Sequence, residues 1–304
     1  MEIIRGLHNL SRLEGCVVTI GNFDGVHLGH QKIILRALEK SKLLKVPLLV
    51  ISFHPTPQAF FNRPKPSISS FREKHLMLEK IGVNKHLIIN FNRRFSEITA
   101  EDFVEKILVT KLNIKYLLIG DDFRFGKDRM GDLKMLERFS KKYFFGVENT
   151  HSILYSQKRI SSSKIRSLLD KGGLSEAANL LGREFSIEGR IAHGNKKGRT
   201  INFPTINIPI RRRLSPILGV FAVIVEIEKQ RYYGVCNLGK RPTIGGERTL
   251  LEVYIFDFAK DVYGKNAKVT FKHKVRDEEK FDSFAELKKQ IEIDTKKAKD
   301  FFNI

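Results

Sequence analysis

The feature that most constrains this chain is a change of rhythm near residue 182. Before it, short apolar runs at Cys16–Ile20, Leu48–Phe53, 87–89 and 116–119 alternate with helix-spaced segments. Between residues 30 and 42, Ile33, Ile34, Ala37 and Leu38 fall on one helix face, and 100–112 reads as a second helix. Runs that are apolar throughout and separated by helices predict a parallel sheet covered on both faces. After Gly182 the strand-like runs continue at 184–191, 219–228, 232–237, 249–258 and 267–275, with no helix between them. Turn residues separate them, among them Gly194, Gly198, Pro216, Gly239 and Gly264. That pattern predicts an antiparallel barrel or sandwich. Phe284, Leu287, Ile291, Ala298 and Phe301 then recur at helical spacing, so a terminal helix closes the chain, with Asp282 or Ser283 as its cap.

A length of 304 residues suits two domains, divided here into 1–182 and 183–304. Hydrophobic residues make up 41%, enough for two cores, and no apolar run approaches the roughly 20 residues a bilayer span needs. Residues 1–13 lack a basic-then-apolar export pattern. Cys16 and Cys236 lie far apart, each in an apolar strand-like stretch, so both read as buried free thiols. Together these features predict a cytoplasmic protein without a membrane partner. The formal net charge of +21 is large, but the lysines are spread along the whole length. The tightest basic cluster, Arg211 to Arg213, has no interleaved aromatics. This argues against nucleic-acid binding as the main function and for a preference for anionic, phosphorylated ligands. Oligomeric state stays open.

The stretch Gly21-Asn-Phe-Asp-Gly-Val-His-Leu-Gly-His-Gln31 follows a strand and opens a helix. In open α/β sheets this is where ligands bind. Gly21, Gly25 and Gly29 allow close backbone approach, and a helix starting near His30 offers free N–H groups to a phosphate. His27 and His30 bring two imidazoles to one loop, suited to charge growing on an α-phosphorus. A second helix start, Ile160-Ser-Ser-Ser-Lys-Ile-Arg166, sets hydroxyls and then a cation where another part of a triphosphate would lie.

The 21–31 stretch resembles the H-x-G-H signature of the nucleotidylyltransferases, and its longer form resembles the flavin adenylyltransferase branch. The resemblance implies a Rossmann-like domain that joins FMN to the adenylyl group of ATP. Gly21, Asn22, Phe23, Asp24, Gly25 and Gly29 would then form the ATP loop, and His27 and His30 would act at the phosphates. Ser162, Ser163 and Arg166 match the family's Ser-Ser-Thr-x-x-Arg element, with Ser163 in place of Thr. Gly120-Asp-Asp-Phe-Arg-Phe-Gly126 resembles the family's flavin loop, which implies that Asp122, Phe123 and Phe125 bind flavin; simple core anchoring by the two rings is the alternative. The family's Phe-Glu/Asp-Pro-His-Pro element departs here to Phe53-His54-Pro55-Thr56-Pro57, so no role is assigned to it.

In the second half, 194–207 reads Gly-Asn-Lys-Lys-Gly-Arg-Thr-Ile-Asn-Phe-Pro-Thr-Ile-Asn. It is not a Walker A loop, because the spacing is one short and strands follow. A glycine-framed basic loop can still wrap phosphates. Thr205 and Asn207 are two apart, so in extended chain they point the same way and offer hard oxygens to Mg²⁺. This segment is similar to the riboflavin kinase pattern, as are 219–222, 237–243, 251–254 and 261–264. The resemblance implies that Gly194, Gly198, Arg199 and Pro204 frame ATP and that Thr205 and Asn207 meet Mg²⁺. It also implies that Glu252 is the base for the 5′-hydroxyl of riboflavin. Asn202 and Ile206 stand where Gly and Ala are usual, and Ile206 is expected to point away from the Thr205/Asn207 face. The two resemblances together identify the chain as similar to the bifunctional riboflavin kinase/FAD synthetases, with ATP, Mg²⁺, riboflavin, FMN and FAD as its small molecules. A chain with one activity decayed, or a basic flavin- or nucleic-acid-binding module, is the competing expectation.

Overall fold

The computed structural model describes residues 1–10, 13–150, 154–155, 158–193, 203–210, 214–243 and 246–304. The chain forms two compact units: Met1–Lys65 with Phe71–Ser161, and Pro66–Ser70 with Ser162–Ile304.

The first unit is built on β1 (Glu2–Arg5), β2 (Cys16–Ile20), β3 (Leu48–Phe53), β4 (Lys85–Ile89), β5 (Ile114–Gly120) and β6 (Gly146–Thr150). They make one sheet in the order β1-β4-β3-β2-β5-β6, with every pair parallel. Every residue of β2 is buried, because the sheet is covered on both sides. Cys16, Val18 and Ile20 join Leu49, Ile51, Leu117 and Ile119 under Phe103, Val104, Leu108 and Leu136. Val17, with Leu48, Val50 and Leu118, faces Ile34, Ala37 and Leu78. Alternation between two apolar layers is why the strands read as unbroken apolar runs. The order reverses between β2 and β5, whose neighbours β3 and β6 lie on opposite sides. The carboxyl ends of strands flanking such a switch form the ligand crevice of an open α/β sheet.

Two helices differ in detail from the sequence expectation. The helix expected near His30 begins at Leu28 and runs to Leu44, because the ring of His27 caps it. The segment expected to be one α-helix over 100–112 is α-helical only at Ala100–Asp102, then π-helical over Phe103–Lys111. The Thr110 hydroxyl follows the wider ladder and donates to the Glu105 carbonyl five residues back, at 2.7 Å. A short hairpin of β7 (Leu154–Tyr155) and β8 (Lys158–Arg159) completes this unit.

The second unit contains β9 (Ser186–Arg190), β10 (Thr205–Pro209), β11 (Gly219–Ile227), β12 (Gln230–Thr243), β13 (Gly246–Ile255) and β14 (Asn266–Arg276). Their order is β10-β13-β12-β11-β14-β9, antiparallel throughout. A bridge between Ala192 and Asn207 brings the two edges together and nearly closes a barrel. Closure needs a glycine at 189, where a Cβ would lie 2.5 Å from Ile208 Cγ2. The barrel core is fully buried: Ile208, Phe221, Val223, Leu238, Leu251, Val253 and Val269. The helix Phe284–Phe302, capped by Ser283 Oγ, lays Ala298 on the outer face formed by Val220, Ala222 and Val235. Its buried Asp294 accepts from Arg276 of β14 at 2.8–3.0 Å. The helices Ser162–Asp170 and Leu174–Leu181 belong to this unit. Among the described residues no helix is long and apolar enough to cross a membrane.

Candidate functional site

In the first unit, the loop between β2 and the helix Leu28–Leu44 lies at the switch point. His27 is only 5% exposed, and its Nδ1 accepts the backbone N–H of His30 at 3.3 Å. With Nδ1 accepting, the proton of a neutral ring sits on Nε2, which is then a donor. The His30 ring stacks on that of His27, with centroids 3.6 Å apart and planes 16° from parallel. The Phe23 ring meets His30 edge-on at 5.2 Å.

Glycine at 21 and 29 has a second use beyond ligand approach. A Cβ on Gly21 would lie 3.2 Å from the Phe23 ring, and one on Gly29 would lie 3.1 Å from the His27 ring. These two glycines make room for the protein's own aromatic rings. Gly25 takes φ of +79°, while Phe23 and Val26, which carry side chains, take +47° and +39°. Left-handed backbone is uncommon for non-glycine residues and strained for a β-branched one. The turn is held by specific bonds. Val26 N–H donates to the Phe23 carbonyl at 3.2 Å, and Gln31 Nε2 donates to the Val26 carbonyl at 2.9 Å. The final Gln of the motif therefore closes the loop.

The sequence assigned no role to 53–57, yet the short helix this segment leads into reaches the histidine loop through Gln58. Thr56 Oγ1 caps the short helix Pro57–Phe60, and Gln58 Oε1 accepts from Asn22 Nδ2 at 3.3 Å. The carboxyl end of β5 leads into the Gly120–Gly126 loop. Phe123 and Phe125 stack at 5.6 Å, but Phe125 is 7% exposed and packs on Phe103. The core-anchor alternative therefore describes Phe125 directly, and Phe123 is the ring left partly open. Asp122 is exposed and pairs with Arg159 Nη2 at 2.9 Å. The carbonyl of Ile160 comes within 3.9 Å of the place a Cβ on Gly29 would take.

In the second unit, Ser162 and Ser163 open the helix Ser162–Asp170 as expected, and Arg166 Nε donates to the Pro66 carbonyl at 2.6 Å. On the barrel, Asn207 of β10 is the direct cross-strand partner of Glu252 on β13, and Glu252 is the partner of Asn237 on β12. Residues paired across antiparallel strands share a sheet face, with Cβ atoms roughly 4.5–5.5 Å apart. Asn207, Glu252 and Asn237 thus form one polar row, with Thr205 two residues along on the same face. Ile206, Leu251, Val253 and Cys236 occupy the opposite face, buried in the core. Ile206 therefore points away from the row, as expected. Asn237 was quoted within a motif but given no role, and only the strand register reveals its place beside Glu252. Phe203 packs its ring against Tyr254 at 5.0 Å and borders a cleft of about 320 Å³ on the C-terminal helix side, with Thr295, Lys296 and Lys299. Pro204 is exposed. Gly194, Gly198, Arg199 and Asn202 lie outside the described residues. Both cysteines are free and buried. Burial pushes the Cys16 thiol up to about 12 and raises that of Cys236 further.

A parallel α/β unit with paired histidines at its switch point, and an antiparallel near-barrel with an Asn–Glu–Asn row, define a two-part phosphoryl- and nucleotidyl-transfer architecture. The FAD synthetase family matches residues 10–164, and the riboflavin kinase family matches residues 181–302. The chain is 47% identical to the bifunctional riboflavin kinase/FMN adenylyltransferase of Haemophilus influenzae, with 100% of both chains covered. It is 42% identical to the protein of the same name from Escherichia coli K12, covering 100% of this chain and 99% of that one. A solved structure described as a macrolide-efflux protein from Streptococcus pneumoniae superposes with a TM-score of 0.80 at 31% identity, covering 97% of each chain. This chain belongs to the bifunctional riboflavin kinase/FMN adenylyltransferase family.

Proposed function

We propose that this chain makes FAD from riboflavin in two ATP-dependent steps, with residues 183–304 as the riboflavin kinase domain and 1–182 as the FMN adenylyltransferase domain. The observation that carries the reading is that each half presents phosphate chemistry on its own frame. A capped, stacked His27–His30 pair sits at a switch point in one, and Asn207 and Glu252 are in register on the other.

In the kinase step the riboflavin 5′-hydroxyl oxygen attacks the γ-phosphorus of ATP, its proton passes to Glu252, and ADP leaves. Gly194, Gly198, Arg199 and Pro204 frame the nucleotide. Thr205 and Asn207 supply a hydroxyl and an amide oxygen on one strand face, a hard-oxygen set that fits Mg²⁺ carried by ATP. When bound, Mg²⁺ neutralises charge on the phosphates. Ile206 turns into the core, which keeps that face intact.

In the second step a phosphate oxygen of FMN attacks the α-phosphorus of a second ATP, and pyrophosphate leaves. Gly21, Asn22, Phe23, Asp24, Gly25 and Gly29 shape the nucleotide loop, and His27 and His30 stabilise the growing negative charge. Ser162, Ser163 and Arg166 bind the triphosphate. Asp122 and Phe123 meet the flavin, with Phe125 supporting Phe123 from the core. Both steps are in-line displacements, so positioning and charge neutralisation supply most of the rate. The two free, buried thiols suit a cytoplasmic location.

The test is to incubate purified protein with riboflavin, ATP and Mg²⁺ and to separate the flavins over time. FMN rising and then giving way to FAD is the expected result. No product from either riboflavin or FMN would overturn the reading, and FMN alone would overturn its adenylyltransferase half.

A further inference from the structure

Lys74 lies in the first turn of the helix Phe71–Ile81 and is 9% exposed. A lysine is almost never this buried unless something compensates its charge. Here the compensation comes from the histidine loop. Lys74 Nζ donates to the backbone carbonyl of Asn22 at 2.8 Å. Burial lowers the affinity of this ammonium for its proton, and the Asp24 carboxylate opposes that shift. An aromatic stack shares this helix and the neighbouring strand β4. Phe71, His75 and His86 stack at 5.8–6.3 Å between centroids, and His86 Nε2 is engaged with Ser52 Oγ at 2.8 Å.

The carbonyl that Lys74 holds sits at a sensitive point. It belongs to the residue just before the left-handed Phe23, and three of the five residues from Asn22 to Val26 take positive φ. Strained turns of this kind persist only when their surroundings over-determine them. Two further restraints, through Gln31 and Gln58, are neutral side-chain amides. Lys74 supplies a charge-assisted bond, shorter and stronger than those.

We propose that Lys74 is a positioning residue for adenylyl transfer. Its ammonium anchors the Asn22 carbonyl and so holds the 22–26 turn in the form that presents His27 and His30. This rests on the adenylyltransferase reading of that loop. A buried positive charge is also weakly screened, so it raises the potential of a loop that meets polyphosphate.

The test uses full-length K74M, K74R and the unmodified enzyme, each assayed separately for FMN adenylylation and riboflavin phosphorylation, with a thermal melt. Met fills comparable volume without charge or donor. Folded K74M is expected to lose roughly 10- to 100-fold in adenylylation kcat, as for loss of a charged hydrogen bond, while its kinase kcat is unchanged. K74R retains charge and donors and recovers most of the lost rate. Folded K74M with full adenylylation kcat would overturn the proposal, as would K74R as slow as K74M. Should K74M fail to melt cooperatively, K74Q takes its place and is read the same way. Absence of FAD from the unmodified enzyme would instead sink the adenylyltransferase reading itself.

Discussion

Replacing His27 separates its structural task from its chemical one. The side chain caps the helix Leu28–Leu44 through Nδ1 and stacks on His30. Losing an N-cap costs about 1 kcal/mol, and losing an aromatic pair costs a further ~0.5–1.5 kcal/mol. His27→Ala forfeits both, or about 2 kcal/mol. For a domain of this size that lowers Tm by roughly 4–8 °C. His27→Asn keeps a good cap, because the Asn side-chain oxygen can accept the same His30 N–H, and forfeits only the stack. It should therefore melt about 1 kcal/mol above the Ala variant. Neither variant has the Nε2 donor, so both should lose roughly 10²–10³ in kcat for FMN adenylylation. The assay is FAD formation from supplied FMN, read by chromatography, with riboflavin phosphorylation as the control for intact protein. Near-normal FAD synthesis by His27→Asn would refute the reasoning, since it would make His27 a cap and nothing more. Equal melting of the two variants would refute the capping half alone.

Other outcomes follow from the same geometry. Glu252→Gln should lower riboflavin phosphorylation by about 10²–10⁴ while FMN adenylylation continues, measured on the same preparation. Asp294→Ala should destabilise the barrel unit by roughly 3 kcal/mol, because it takes the buried carboxylate from the Arg276 guanidinium, which keeps its bond to the Asp277 carbonyl; a thermal melt reads this. Burial holds the His86 imidazole down at about 3, whereas in the unfolded chain it titrates near 6.5. The unfolded state then binds the extra proton, so stability is full above pH 6.5 and falls as pH drops toward 3, by about 1.4 kcal/mol per unit. Urea unfolding at pH 7 and pH 4.5 checks this, and His86→Gln should flatten the dependence. Neither Cys16 nor Cys236 should react with an alkylating reagent at pH 8 until denaturant is added, by mass measurement.

Both sheets were legible in the sequence because burial writes itself into composition. A strand such as Cys16–Ile20, packed on two sides, has no place for a polar face, whereas the barrel strand Asn266–Arg276 alternates over its first residues because only one side there enters the core. His27 and His30 were legible through their glycine frame. What stayed hidden depends on contacts between distant segments. Nothing local to Lys74 says that its ammonium meets a carbonyl 52 residues away. The departure at 53–57 removed the family's usual signal, yet Gln58 still reaches Asn22 across 36 residues. The π-helical stretch at Phe103–Lys111 has the same apolar spacing as an α-helix over so short a run.

The barrel site shows where strand register adds what periodicity lacks. From sequence, Glu252 lies on the face opposite Leu251 and Val253, and Thr205 shares a face with Asn207. Neither statement says that the two strands are neighbours. The register makes Asn207 and Glu252 direct partners and sets Asn237 on the other flank of Glu252. In the proposed kinase step Glu252 takes a proton beside Mg²⁺–ATP, which calls for a fixed side chain, and its register places it between two asparagines of adjacent strands. On that proposal Asn237 is expected to orient Glu252 rather than to bind nucleotide. Asn237→Ala should lower the kinase kcat while leaving the KM for ATP within about threefold, since the residues proposed to meet ATP remain. Steady-state kinetics over a range of ATP concentrations decide it. A loss confined to the KM for ATP would place Asn237 on the nucleotide instead.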